Sequence, residues 1–425
     1  MAITPSIYTA ESADIKHFIS GMKQRNDHYL HAVIDFPGEI DNGQLKQALR
    51  ATFRAMPLLT CRFVKTEDQA YWEEAGWTET DMVRLIESDD QEQDVQRQLV
   101  QKLDEQKGPQ VRLSIIRADQ RDSLVMVLNH MICDGGGIRD YLYLLCECYS
   151  LIGRKEHPAQ LQMPSPQRRS FNQIFEHLSD KQLQEVKTAT VHHFQQTEAD
   201  HLPLEGDPAH PFVIRHRISA ERFEKIKAYA KAHGATINDA LFAAYLCALS
   251  DVLKVEQIVL DCPVNVRAYL PHDYVPGFCN LTSNIICAIP SHAGETYEEA
   301  LKSVKQVMDR QKDSLEPLKV YWDLEQAYQN LPLAEAIAAF PTIYKIPING
   351  MTNIGILDPK KLTFGSLEPI DASISGSLKY APYFQIAVTT FKKVMTFSTN
   401  FHGTEKDYLF LDQLVQKMIA SFPDA

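Results

Sequence analysis

His130 is followed by a carboxylate four residues on and then by glycines, in Asn129-His130-Met131-Ile132-Cys133-Asp134-Gly135-Gly136-Gly137. A neutral imidazole titrates near working pH, so it can take the proton from a hydroxyl or amine as that group attacks a carbonyl carbon. Asp134, across the bend, is as well placed to point away from the ring and pair with a distant arginine, which would pin the loop and with it the imidazole. Gly135 and its neighbours let the backbone turn tightly and leave room for a ligand. By residue type alone, a histidine beside an apolar strand is usually a satisfied core or surface residue, and only its surroundings support the chemical reading.

Two other chemistries are weaker. Cys133 could be taken for a nucleophile, but no second histidine stands at a supporting spacing. The neighbours His192-His193 and the scattered His201, His210 and His216 lack the i, i+4 pair with a carboxylate that zinc requires, so no metal is expected. No Walker-type phosphate loop is present.

Positioning His130 falls to the segment before it. In Ser123-Leu124-Val125-Met126-Val127-Leu128-Asn129-His130, period-2 geometry puts Leu124, Met126, Leu128 and His130 on one face and Val125, Val127 and Asn129 on the other. Both faces stay apolar nearly to the end, as in a central strand. The glycines are expected to break the strand, and helical periodicity resumes from Ile138 to Ile152.

Upstream, 28–36, 59–65, 70–74 and 110–118 read as strands and 42–54 as a helix. Between Gly153 and Ser170, Pro158, Pro164 and Pro166 stop regular structure and suggest a linker. An amphipathic helix is expected over 171–196. A second half follows, with strands at 212–219, 258–266, 281–289, 350–357, 383–391 and 394–401. Its helices fall at 221–233, at 240–253 after a capping box Thr236-Ile237-Asn238-Asp239, and at 296–312, 323–340 and 405–422. Phe391-Lys392-Lys393-Val394 reads as a hairpin turn. No fixed-period repeat appears, which argues against a solenoid.

The 425 residues hold 43 Lys plus Arg against 55 Asp plus Glu, a formal charge of -12 that would repel a nucleic-acid backbone. Nucleic acid is therefore not an expected partner. The eight cysteines form no Cys-x-x-Cys pair and mostly sit in apolar runs, as small buried hydrophobes in a reducing compartment do. Met1-Ala2-Ile3-Thr4-Pro5 carries no secretory pattern and no window approaches eighteen apolar residues, so the expectation is a cytoplasmic protein without a transmembrane segment.

The apolar strand, the H-x-x-x-D-G pattern and the following apolar helix together resemble the thioester-dependent acyltransferase superfamily. It includes chloramphenicol acetyltransferase, the plant BAHD acyltransferases, alcohol acetyltransferases and the condensation domains of nonribosomal peptide synthetases. Ala55-Met56-Pro57-Leu58-Leu59-Thr60-Cys61-Arg62-Phe63, Gly234-Ala235-Thr236-Ile237-Asn238-Asp239 and Pro263-Val264-Asn265-Val266-Arg267 resemble further family segments in the family order.

The resemblance implies an α/β (α+β) fold of two chloramphenicol-acetyltransferase-like lobes, residues 1–170 and 171–425, each a mixed sheet flanked by helices, with a tunnel between them. It implies that His130 is a general base, that Arg267 pairs with Asp134 (Arg62 being the substitute), and that Asn349 to Gly355 faces the motif. There Thr352 and Asn353 are candidate donors to a developing oxyanion, unless they form only a polar bulge at a strand start. No cofactor is expected to be permanently bound. Acyl-coenzyme A, or an acyl-phosphopantetheine on a carrier protein, is expected as co-substrate, with a small-molecule hydroxyl or amine acceptor.

Two departures stand out. Asn129 occupies the place of a first histidine found in many condensation-type members, and the BAHD Asp-Phe-Gly-Trp-Gly signature is absent. Two alternatives stay open: a free-standing condensation-type enzyme using a carrier-bound donor, and a catalytically silent binding protein of the same fold.

Overall fold

The computed structural model describes residues 5–192, 194–312 and 314–423. The strand Arg121–Asn129 is the middle of a five-stranded sheet ordered Asp371–Ser375, Tyr29–Phe36, Arg121–Asn129, Val111–Ala118, Val83–Glu87. Both of its neighbours run antiparallel to it, whereas Val83–Glu87 pairs parallel, so the sheet is mixed. The alternation holds. Leu124, Met126 and Leu128 share a core with Tyr141, Leu142 and Leu145 of the helix Gly135–Gly153. Val125, on the other face, packs with Val33, Ile116 and the Val95 and Leu99 of the helix Gln91–Leu99. Burying each such side chain stabilises the fold by about 1.5–3 kcal/mol, which holds the strand end rigid.

The second sheet runs Thr282–Pro290, Gln257–Asn265, Asn349–Leu357, Phe384–Phe391, Val394–His402, with Pro211–Ile218 and the short Lys379–Tyr380 also pairing to Val394–His402. Its hairpin turns at Lys392 and Lys393, both at positive φ (46° and 66°), the two-residue geometry that suits strand twist. Against this sheet lies the helix Ile237–Leu253, whose Ala240 to Ala248 are almost wholly inaccessible to solvent. Its capping box forms as expected, with Thr236 and Asp239 satisfying each other's backbone N–H groups. A third, small sheet joins Ile7–Thr9, Ala70–Glu74 and Cys61–Lys65. Among the described residues no single helix is long and apolar enough to cross a membrane; only the pair Ala220–Ala232 and Ile237–Leu253, bent by 101°, meets that length and composition.

Several elements differ from the sequence reading. The helix expected over 171–196 is two pieces, Asn172–Phe175 and Asp180–Thr188, because Ser179 caps a new start through its hydroxyl and Gln182. His193, in that expected span, lies outside the described residues. The helix expected over 323–340 is also two, Glu316–Asn330 and Leu333–Ile343, divided at Leu331-Pro332, where proline cannot donate its nitrogen and restrains the residue before it. Leu59 and Thr60 belong to a 3-10 turn, Pro57–Thr60, ahead of the strand Cys61–Lys65. The glycine run does not precede the helix but is its first turn, capped by Asp134. Finally, Asp371–Ser375 pairs with Tyr29–Phe36 as the edge of the first sheet, so a division of the chain at residue 170 does not separate the two sheets.

Candidate active site

The strand Arg121–Asn129 delivers His130 to the seam between the two large sheets, where the backbone N–H of His130 donates to His28 O at 2.8 Å. The half-buried ring lines a cavity of about 160 Å³. Gly135 and Gly136 line it from the motif side; Asp261, Thr352, Asn353 and Gln385 line it from strands of the second sheet.

Asn280 fixes the ring. Its amide nitrogen donates to His130 O and Met131 O, both at 2.9 Å, which leaves Oδ1 facing His130 Nδ1 at 3.2 Å. Since Oδ1 can only accept, Nδ1 carries the hydrogen and donates, and Nε2 keeps its lone pair. His17 covers one face of the ring, stacked with centroids 4.0 Å apart and planes inclined by 25°. Burial first, and the Lys16 ammonium second, lower the His130 pKa to about 4, so the imidazole is neutral at physiological pH.

Asp134 is turned away from the imidazole. It receives a two-pronged pair from Arg267 (2.9 and 3.0 Å), together with the N–H groups of Gly137 and Leu281, each at 2.7 Å, and the Thr282 hydroxyl at 2.8 Å. Burial alone would raise its pKa; the Arg267 charge and these donors outweigh that and hold it at about 2. Arg267 also reaches Cys279 O at 3.0 Å, so one ion pair ties the motif turn to the strand end and loop of the second half. Arg62, the substitute partner, instead donates to Glu73 at the surface. Gly137 has no room for a side chain, since a Cβ there would lie 2.8 Å from Cys133 Cβ; at Gly135 it would meet only Ile354, at 3.5 Å.

The remaining candidates separate clearly. Thr352 and Asn353 share the cavity with His130, and the strand bulges just after them, with Asn353 Oδ1 accepting from Gly355 N at 3.0 Å and Gly355 at φ 93°. Donor groups and the bulge thus coexist. Cys133 is fully buried in the first core, and burial pushes its thiol well above the usual range, so it stays protonated. Asn129 faces away, donating to Gln110 Oε1 at 2.7 Å and accepting from Met131 N at 2.8 Å. His210 and His216 make separate contacts with Asp207 and Asp412, and His192 pairs with Glu316.

Lys16 and His17 were not foreseen, although Ile15, Phe18, Ile19 and Met22 carry the i, i+3, i+4, i+7 apolar spacing of the helix Ser12–Met22. That helix approaches closely because Gly21 has no Cβ; one would sit 2.2 Å from His28 Nδ1. No local signal marks Asn280, Asp261 or Lys379, which reach the cavity only through tertiary structure.

The fold and site define an α/β protein of two large sheets with a neutral histidine at their seam. Solved structures share this architecture. The first condensation domain of the calcium-dependent antibiotic synthetase, in complex with substrate analogue 2a, is 14% identical with a TM-score of 0.70, covering 99% of this chain and 97% of that one. The trichothecene 15-O-acetyltransferase of Fusarium sporotrichioides matches with a TM-score of 0.68 (14% identity, 99% and 96% coverage). Polyketide synthase associated protein 5 of Mycobacterium tuberculosis matches at 0.66 (14% identity, 99% of each chain). These likenesses establish the fold. The chain belongs to the condensation domain family, whose model matches residues 16–344. Among curated proteins, bacitracin synthase 3 of Bacillus licheniformis is 25% identical over 281 residues, 61% of this chain and only 4% of that much longer protein.

Proposed function

We propose that this protein is an acyltransferase that moves an acyl group from a pantetheine thioester to a hydroxyl or amine, with His130 as general base. The observation that carries the reading is the Asn280 hydrogen bond, which leaves Nε2 unprotonated in a cavity both sheets share. As the acceptor attacks the thioester carbonyl, its proton passes to Nε2, and the resulting imidazolium returns a proton to the departing thiolate. Thr352 and Asn353 are the proposed donors to the carbonyl oxygen as it becomes negative. Asp134 and Arg267 take no part in proton transfer; they hold the turn that aims the ring. Coenzyme A and a carrier-bound phosphopantetheine are both donors of the right chemistry, and the family membership favours testing the carrier form.

The test supplies acyl-coenzyme A and, separately, an acylated carrier protein, with pooled amine and alcohol acceptors, and measures released thiol against acylated product. Equal amounts of the two are expected with one donor class. No turnover with any pairing would overturn the reading in favour of a binding protein of this fold.

Asn280→Asp tests how the ring is held. A carboxylate still accepts from Nδ1–H but adds a negative charge beside the imidazole, which favours the protonated ring. The acid limb of kcat/KM should therefore move to higher pH than in the unsubstituted protein. An unmoved limb would show that Asn280 does not govern His130.

A further inference from the structure

The cavity holds charge that the acyl-transfer chemistry does not use. Asp261 is 3% exposed, and among the described residues the one hydrogen bond to its carboxylate comes from Asn284, which donates to Oδ1 at 2.5 Å. Lys16 is 7% exposed; its ammonium donates to the Tyr321 hydroxyl and lies 4.7 Å from the Tyr344 ring centroid. Lys379 also lines the cavity, and among the described residues its ammonium has neither a hydrogen bond nor an ion pair. Among the described residues none of the three forms a direct salt bridge; Lys379 lies in the field of two carboxylates, Asp261 and Asp27, and Lys16 in that of Asp134 and Asp261, without touching them. An unpaired charge out of water is costly, and a ligand group of opposite sign removes that cost.

The backbone around Lys379 is held on both sides. Leu378 and Asp27 exchange two hydrogen bonds, Asp27 N to Leu378 O and Leu378 N to Asp27 Oδ1, both at 3.0 Å, while Lys379 pairs through its strand with Phe401. The ammonium is thus presented from a fixed strap, with Ser377 and Gln385 as neutral neighbours on the cavity wall.

We propose that Lys379 receives a carboxylate of the substrate, so that the molecule handled at His130 is a carboxylated one. This rests on the acyl-transfer reading and extends it to the substrate class. The carboxylate could arrive on the acceptor, as in a free amino or hydroxy acid, or on the acyl group, as in a dicarboxylic half-thioester; the recognition chemistry is the same. Asp261 partly offsets the cationic wall and sets the fit for one negative charge rather than several.

Calorimetric titration of the full chain compares 4-aminobutyrate with propylamine and succinyl-coenzyme A with butyryl-coenzyme A. In one of the two pairs the carboxylated member should bind roughly 10- to 100-fold tighter, the range of one charge-assisted hydrogen bond, and the responding pair identifies the source. Lys379→Met should reduce that ratio to within about two-fold, and Lys379→Arg, which keeps the charge, should preserve it. Equal binding within both pairs, survival of the preference in Lys379→Met, or its loss in Lys379→Arg would overturn the proposal. The ratio is read again in His130→Gln. Turnover surviving that substitution would sink the base reading alone, whereas a missing carboxylate preference would sink only this one.

Discussion

His130→Ala is expected to retain the fold and to lower acyl-transfer turnover by about 100- to 10,000-fold, the usual contribution of a positioned general base. The fold should survive because the contacts that hold this segment are made by its backbone. The His130 N–H donates to His28 O, and its carbonyl accepts from Asn280, and neither needs the imidazole. What disappears is the Nδ1 bond to Asn280 and the stack with His17. Circular dichroism and a melting curve check the first half of the prediction, and single-turnover kinetics the second. Turnover within a few-fold of the unsubstituted protein would place the proton acceptor elsewhere, with His17 the nearest imidazole.

Asp134→Ala should cost about 3–5 kcal/mol of stability, because it leaves Arg267 without its carboxylate and removes the cap of the helix Gly135–Gly153. Leu281 N and the Thr282 hydroxyl lose an acceptor at the same time. Activity should fall too, since the turn that follows His130 is no longer anchored to the second half of the chain. The pH dependence has a definite sign. The folded Asp134 pKa, about 2, lies below the ordinary 3.8, so its stabilisation is fully present above that ordinary value and is lost as pH falls through 2. Denaturant midpoints at pH 7 for the protein and the variant test the cost. An unchanged midpoint would remove the structural role, and Arg267→Ala should show a loss of similar size that is not additive with it.

Much of this site was legible because it is local. The alternation from Leu124 to His130 identified a strand buried on both faces, and the structure places Leu124, Met126 and Leu128 in one core and Val125 in another, with Val127 and Asn129 buried beside it. The Asp134–Arg267 pair followed from a resemblance spread over three segments rather than from any spacing, since 133 residues separate the two. The capping box at Thr236 and the Lys392-Lys393 turn are fixed by neighbouring residues, and both formed as read.

The failures share the opposite cause. Proline at 332 and a serine cap at 179 divide helices whose apolar periodicity continues past them, because local backbone chemistry outweighs periodicity there. The strand Asp371–Ser375 crosses back to the first sheet, a pairing that only tertiary structure specifies. Asn280, the residue that selects the imidazole tautomer, stands in a loop 150 positions from its partner, and nothing in its own surroundings marks it.

The most direct measurement is a nitrogen-15 NMR titration of the histidine side chains, with the His130 signals assigned by loss in His130→Gln. The expected result is a neutral ring at pH 7 with its hydrogen on Nδ1 and a protonation midpoint near 4. A hydrogen on Nε2, or a midpoint at the ordinary 6.5, would contradict it.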